Sequence, residues 1–129
     1  MALALYDYID HRDANVIKEW AKKLGLDKRM RATLNQKLDM LALVGSELPT
    51  KLLSDTPRRN IKKIRINGTL ALRPMLCKGP IANESEYTML VGAIEKDRVF
   101  VPRDALQIAD ERRVEVATDP TRRCSHERF

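Results

Sequence analysis

The sequence predicts an α+β fold: an N-terminal strand, an antiparallel helical hairpin, a small, mainly antiparallel twisted sheet and a C-terminal helix. Three observations predict it. Residues 13–44 carry two apolar stripes at helical spacing, residues 60–74 alternate apolar and basic side chains about an Asn67-Gly68 turn, and residues 87–94 form a nearly continuous apolar run. A chain of 129 residues is long enough for one hydrophobic core and too short for two.

The composition is that of a folded and strongly basic domain. Hydrophobic residues make up 43% and charged residues 33% of the chain, and the formal net charge is +6 with an isoelectric point of about 9.5. Such a charge favours a nucleic acid, an acidic protein or an anionic membrane surface as partner. Aromatic residues make up only 5%, which argues against a base-stacking platform of several rings.

The cysteines and histidines predict neither a metal site nor a cofactor. Cys77 and Cys124 have no ligand-like spacing, so we expect two free thiols. His11 and His126 lie near opposite ends of the chain. The first nine residues lack the basic start of a signal peptide, and no apolar run approaches the roughly 18 residues of a membrane span. We therefore expect a cytoplasmic protein without a membrane partner.

The first third of the chain predicts a strand and two helices. Residues 2–9 form a short apolar run that is typical of a strand. Asp13 is a candidate N-cap for a helix that ends at Gly25, and Asp27 is a candidate N-cap for a second helix that runs to Val44. Because the connection between the helices is short, we expect them to pack as antiparallel neighbours.

After an expected loop over residues 46–57, residues 60–74 predict a basic β-hairpin. Ile64 and Ile66 share one face of its first strand, so the basic residue between them projects from the other face. The basic run at the start of the hairpin contains no acid. Its cations are Arg58, Arg59, Lys62, Lys63 and Arg65.

The register of this hairpin is predicted from its buried face. A loop with an odd number of residues, 67–69, keeps the apolar side chains of the two strands on the same side. The expected pairs are Leu70 with Ile66, Leu72 with Ile64, and Arg73 with Lys63. The register therefore gathers Lys63, Arg65 and Arg73 on one surface. Like charges across a strand pair repel, so this cluster favours an anionic partner over an ordinary solvated face.

The rest of the chain predicts one further strand and the C-terminal helix. Residues 77–86 are expected to form a polar loop, residues 87–94 a central strand, and residues 95–98 a charged loop. Pro102 is expected to open a helix that reaches about Thr118.

Three stretches of the chain together resemble a known family. They are residues 16–25, residues 62–68, and residues 90–97 with the segment from Pro102 to Arg112. In that order they are similar to the first helix, the basic strand and turn, and the last strand, basic loop and final helix of the RelE/HigB-like toxin superfamily of bacterial type II toxin–antitoxin systems, including its phage-derived branch. The match covers roughly residues 1–118, which we assign to a single RelE-like toxin domain. We expect residues 119–129 to form a flexible basic tail.

The resemblance implies an antiparallel sheet packed on helices and metal-independent cleavage of mRNA at the ribosomal A site. In that reaction the ribose 2′-OH attacks the adjacent phosphate, which requires a proton acceptor, cations for the charged phosphorane and a proton donor for the leaving oxygen. By the same resemblance, Lys63, Arg65 and Lys96 are the candidate catalytic residues. The candidate nucleic-acid-binding residues are Lys62, Arg73, Arg98, Arg58 and Arg59. The implied partners are a cognate antitoxin, commonly a helix-turn-helix protein, the ribosome and mRNA.

Two departures from the family pattern leave other functions open. Leu70 and Ala71 stand where many relatives have a Tyr-Arg pair, and residues 99–102 contain neither the Tyr nor the His that ribosome-dependent members often have there. No general base is evident in the sequence. The alternatives are a ParE-type toxin that inhibits DNA gyrase by binding, and a non-catalytic nucleic-acid-binding protein on the same fold.

Overall fold

The computed structural model describes residues 2–49 and 51–129, which form the predicted α+β fold. The α-helices in these residues are α1 (Val16–Leu24), α2 (Lys28–Val44) and α3 (Ala105–Thr118). The strands are β1 (Ala4–Tyr8), β2 (Leu53–Asp55), β3 (Lys62–Ile64), β4 (Ile66–Asn67), β5 (Ala71–Leu72), β6 (Met75–Lys78), β7 (Glu86–Val91), β8 (Ile94–Lys96), β9 (Val99–Val101) and β10 (Arg123–Ser125). Within the same residues, no helix has both the length and the apolar character that crossing a membrane requires.

The strands form two sheets, which confirms the predicted, mainly antiparallel arrangement. The first sheet has the strand order β10-β1-β7-β6-β3-β2, and within it only β1 and β7 pair in parallel. The second sheet has the order β4-β5-β8-β9 and is antiparallel throughout. The segment from β3 to β6 belongs to both sheets and connects them.

Helices cover the first sheet on both faces. Leu76 and Met89 share a buried cluster with the apolar faces of α1 and α2, whereas Met75 and Leu90 share a second cluster with α3. This division follows from the pleat, because successive residues of a strand project from opposite faces. Each large side chain that is fully buried in this way stabilises the fold by about 1.5 to 3 kcal/mol.

Local caps determine the ends of the first two helices. Asn15 caps α1, because its side chain accepts hydrogen bonds from two backbone N–H groups of the first turn. The predicted cap at Asp13 is wrong, since that residue lies in the preceding turn with a φ of 61°. The predicted end of α1 at Gly25, which has a left-handed conformation, is confirmed. The limits of α2 at Asp27 and Gly45 are confirmed as well.

The predicted basic hairpin forms, but it is longer than expected and bends between the two sheets. Lys63 lies opposite Met75 in the first sheet, and Ile66 lies opposite Leu72 in the second, so one register continues through the bend. The loop after β4 contains three residues, 68–70, and the predicted odd loop length is therefore confirmed.

The predicted pairs within this hairpin are wrong by two residues on the second strand. Ile66 was expected opposite Leu70 and lies opposite Leu72. A shift of two residues leaves every side chain on its own face, so the apolar pattern does not distinguish the two registers. The observed register is marked by the backbone hydrogen bond from the Ile64 N–H to the carbonyl of Pro74 at 3.0 Å.

The central strand β7 ends before Gly92, so the strand predicted over residues 87–94 is too long. The Trp20 ring lies directly over this glycine, and a Cβ atom there would be 2.0 Å from Trp20 Cγ. The charged segment that was predicted as a loop is instead the tight β8–β9 hairpin. Its two turn residues, Asp97 and Arg98, have positive φ values of 52° and 66°.

Three other limits differ from the predictions. β2 lies inside the expected loop over residues 46–57, and β6 extends into the expected loop over residues 77–86. α3 begins at Ala105, three residues after Pro102, while its predicted end near Thr118 is confirmed. The two strand segments form through pairing with β3 and β7, which a short polar sequence does not reveal by itself.

Residues 119–129, predicted as a flexible basic tail, belong to the fold. β10 pairs antiparallel with β1 at the edge of the first sheet. The Arg123 guanidinium pairs with the buried Glu86 carboxylate, and His126 Nδ1 lies 2.8 Å from a carboxylate oxygen of the buried Asp7. The arginines of this segment pair with acids elsewhere in the chain, Arg122 with Asp13, Arg123 with Glu86 and Arg128 with Asp39.

Candidate nucleic-acid interface

Lys63 and Arg65 lie on the same face of the bent hairpin, as the alternation of side chains predicts. Ile64 and Ile66 are buried on the opposite face. Lys63 Nζ lies 5.2 Å from the centre of the Phe100 ring, which belongs to β9. The exposed Arg65 guanidinium has no side-chain partner within residues 2–49 and 51–129. The hairpin therefore presents one cation against an aromatic ring and one toward solvent.

Arg73 points to the same side, but the prediction that placed it on the exposed basic surface is wrong. Its side chain is only 4% exposed. Nη1 donates to the carbonyl oxygens of Ile66 at 3.2 Å and Leu72 at 2.8 Å. Nη2 donates to Asn67 Oδ1 at 2.9 Å, and Nε donates to Glu95 Oε1 at 3.1 Å. The guanidinium is thus fixed by four acceptors and has a structural position at the bend.

Glu95 is a candidate functional residue that sequence reasoning missed. It lies between Ala71 and Phe100 in the second sheet and shares a face with them. Its side chain is 33% exposed and lies opposite Phe100, whose ring Lys63 contacts. The alternation of residues 94–96 would place Glu95 on the opposite face from its neighbours. That inference requires residues 94–96 to be recognised as a strand, and the sequence predicted a loop for residues 95–98.

Lys96 lies away from these residues. Strand alternation places its side chain on the face opposite to Glu95, and Arg98 occupies the exposed turn that follows. The predicted group of Lys63, Arg65 and Lys96 therefore does not converge on one surface. The reason is that residues 94–96 form a strand of the β8–β9 hairpin, in which consecutive side chains project from opposite faces, whereas a loop was expected over residues 95–98.

The remaining predicted cations lie just before or at the start of β3. Arg58 Nη1 is 3.4 Å from an oxygen of Asp110 on α3, and Lys62 Nζ is 2.6 Å from Asp55 Oδ1. The hydrogen bond from Lys62 holds the pKa of the Asp55 carboxyl below its usual range. The cations that line a nearby cavity of about 420 Å³ are Arg59, Lys62, Lys78 and Arg113. This cavity forms a second basic area, separate from the bend of the hairpin.

We use the name Lys63 face for the surface formed by Lys63, Arg65, Arg73, Glu95 and Phe100. It brings together two cations that suit a phosphate group, an aromatic ring that Lys63 contacts, and one carboxylate held by a buried arginine. In the parts of the chain that the structure describes, no group of three or more His, Cys, Asp or Glu residues is arranged to hold a metal ion. Comparison of the chain with family models, with curated proteins and with solved structures found no significant match.

Proposed function

We propose that this chain is the toxin of a type II toxin–antitoxin system and acts as a ribosome-dependent mRNA endonuclease without a metal ion. The Lys63 face is the observation that supports the proposal, since an ammonium group, an exposed guanidinium, an aromatic ring and a carboxylate share one surface. Cleavage of RNA by its own 2′-OH needs groups of these kinds. The resemblance to RelE/HigB-like toxins provides the reaction and its target.

The cations have different tasks in this proposal. Arg65 has a planar guanidinium, which suits two-point contact with the oxygens of a phosphate. Lys63 provides a compact charge that stabilises the phosphorane or gives a proton to the leaving oxygen. Phe100 carries the Lys63 ammonium over its ring and so positions that charge on the surface. Lys96 projects from the other face, so we expect it to make no contact with the reacting phosphate.

The proposal includes the partners and the cellular location. The ribosome and mRNA are the targets, so the protein would act in the cytoplasm. A cognate antitoxin, of the helix-turn-helix type, would block the Lys63 face with acidic side chains. Because an interface of this kind depends on charge, the rate of association should fall as the salt concentration rises.

Induced expression of the chain in bacteria without an antitoxin, with mapping of mRNA 5′ ends, tests the proposal. We expect growth arrest and new 5′ ends within translated codons. The double variant Lys63→Ala/Arg65→Ala should relieve both effects. The control Lys28→Ala/Arg29→Ala removes the same charge from the exposed start of α2 and should remain toxic. Normal growth of cells that contain the soluble, unchanged protein would contradict the proposal.

Binding without cleavage is a second candidate function, and the position of Lys96 favours it. The three predicted catalytic cations do not converge, so the chain can act instead as a ParE-type inhibitor of DNA gyrase or as a nucleic-acid-binding protein. Growth arrest with intact mRNA and a DNA-damage response would indicate gyrase as the target. Salt-sensitive nucleic-acid binding without toxicity would indicate a binding protein.

A further inference from the structure

We propose that Glu95 is the general base that takes the proton from the ribose 2′-OH during mRNA cleavage. This inference rests on the proposed endonuclease function and adds the proton acceptor that the sequence did not reveal. Two features of the structure support it. Glu95 lies on the Lys63 face opposite Phe100, and one of its carboxylate oxygens is held by Arg73 while the other has no partner among the described residues.

Arg73 gives Glu95 a fixed orientation. The guanidinium is bound to two backbone carbonyls and to Asn67, so it cannot turn to follow a mobile carboxylate. Its Nε then donates to Glu95 Oε1 at 3.1 Å. A general base must be held within hydrogen-bond reach of the proton that it accepts, and a buried arginine provides such a support.

Of the acidic residues between β2 and β9, Glu95 is the one whose position suits a proton acceptor. The other acids between β2 and β9 are Asp55, Glu84, Glu86 and Asp97. Asp55 pairs with Lys62, Glu86 pairs with Arg123, Glu84 lies in the connection between β6 and β7, and Asp97 is in the β8–β9 turn. Among these acids, Glu95 is the one that combines a partly exposed side chain with a place opposite Phe100, which Lys63 contacts.

The proposed step is balanced with water as the only further reactant, because Lys63, where it has given a proton, takes one back from water. Glu95 Oε2 accepts the proton of the 2′-OH while the 2′ oxygen forms a bond to the adjacent phosphorus. The bond from phosphorus to the 5′ oxygen of the next nucleotide breaks, and that oxygen takes a proton from Lys63 or from water. The products are a 2′,3′-cyclic phosphate and a 5′-hydroxyl. Glu95 then gives its proton to water and returns to the carboxylate.

A single-turnover cleavage assay on ribosomes with a defined codon in the A site tests this role. Glu95→Gln keeps the shape of the side chain and an oxygen for Arg73, but it cannot accept the proton. We expect its cleavage rate to fall at least about 100-fold, which is the lower range for loss of general base catalysis. Binding to ribosomes that carry a 2′-deoxy nucleotide at the cleavage position should be unchanged, because that measurement does not involve proton transfer.

The dependence of the rate on pH provides the second measurement. Glu95 is hydrogen-bonded to Arg73, which lies between β5 and β6, and is opposite the uncharged Phe100, whose ring Lys63 contacts. Arg65, between β3 and β4, is the other cation on this face. In the unchanged protein the cleavage rate should decline at acidic pH as the base is protonated, and Glu95→Gln should lack this decline. Glu95→Asp, which keeps a carboxylate, should recover part of the rate together with the acidic decline.

The controls separate this inference from the proposed function. Glu84→Gln removes the same charge from an exposed residue and should cleave at the rate of the unchanged protein. If the unchanged protein leaves mRNA intact, the endonuclease function fails and the role of Glu95 fails with it. If the unchanged protein cleaves and folded Glu95→Gln cleaves equally fast, only the role of Glu95 is overturned. Should Glu95→Gln fail to fold, a Glu95→Asp variant without the acidic decline overturns it.

Discussion

The Arg73 guanidinium lies at the bend of the long hairpin and donates to Glu95 Oε1 across 3.1 Å. The arginine side chain is 4% exposed and the glutamate side chain 33%, so the ion pair connects the interior with the surface. The other hydrogen bonds of Arg73 go to Asn67 Oδ1 and to two backbone carbonyls. Together these contacts hold β4, β5 and β8 of the second sheet to one another.

Replacing Arg73 should therefore destabilise the fold. In Arg73→Met, two carbonyls and the Asn67 side chain lose a donor and Glu95 loses its counter-ion, which should lower the free energy of unfolding by about 3 kcal/mol. Arg65→Met removes the same charge from the exposed residue and should change it by less than about 0.5 kcal/mol. Urea denaturation measures both variants. Equal effects would contradict the structural role of Arg73.

The limits of α2 could be predicted from the sequence because their determinants are local. Asp27 and Gly45 delimit α2 through contacts within one turn of the helix. The C-terminal strand could not be predicted in this way. Arg123 pairs with Glu86, which is 37 residues away in the sequence, so its charge gives no local indication that the segment is ordered.

The candidate site could be predicted only in part, for a similar reason. The alternation around Ile64 correctly placed Lys63 and Arg65 on one face. The burial of Arg73 and the position of Glu95 depend on the pairing of β5 with β8, whose short strands carry no strong sequence pattern. A strand of three residues is recognised from its neighbours in the sheet.

The ion pair between Arg123 and Glu86 makes the stability of the fold dependent on pH. Burial raises the pKa of the Glu86 carboxyl, but hydrogen bonds from Arg123 and from backbone N–H groups outweigh it, so the pKa lies below its ordinary value of 4.5. A carboxyl whose pKa is lower in the folded chain stabilises the fold above the unfolded pKa. This contribution is lost as the pH falls through the folded pKa.

Arg123→Met should accordingly cost about 3 kcal/mol of stability at neutral pH, because Glu86 is left buried without its counter-ion. The difference from the unchanged protein should shrink below pH 4.5, where Glu86 takes up a proton. Urea denaturation at several pH values measures this difference. As a control, Arg128→Met breaks an exposed pair with Asp39 and should cost less than about 1 kcal/mol throughout. A difference for Arg123→Met that stays constant with pH would refute the assignment.

Gly92 should tolerate no larger side chain while Trp20 covers it. The Cβ atom of Gly92→Ala would lie 2.0 Å from Trp20 Cγ, so the ring must move, at a cost of about 3 kcal/mol. In Trp20→Leu/Gly92→Ala the added cost of the alanine should be much smaller, and denaturation of the four proteins in this cycle measures the coupling. Gly68→Ala is the control, because the nearest atom to its Cβ is the flexible end of Met30 at 3.2 Å, and the Leu70 carbonyl oxygen lies at an ordinary contact distance of 4.0 Å. Additive effects of the two changes would show that the ring does not limit this position.

Neither cysteine should react readily in the folded protein. Burial raises the pKa of the Cys77 thiol to about 12, and burial also raises the pKa of Cys124. A thiol reagent such as dithionitrobenzoate at neutral pH should therefore label the native protein far more slowly than the denatured protein. The control Leu43→Cys places a thiol at a position that is 71% exposed and should react at once. Rapid native labelling of Cys77 would show that the α3 side of the first sheet opens.

The two faces of the β8–β9 hairpin predict different salt dependences for RNA binding. Each phosphate contact by a cation contributes about 0.7 to the slope of the logarithm of the binding constant against the logarithm of salt concentration for a single strand. Lys63→Ala and Arg65→Ala should each reduce this slope by about that amount, because both residues lie on the Lys63 face. Lys96→Ala should leave it unchanged, since Lys96 projects from the opposite face. Titration of a short single-stranded RNA at several salt concentrations measures the slope for all three variants. If Lys96→Ala reduced the slope as much as Arg65→Ala, the bound RNA would have to contact both faces, contrary to this prediction.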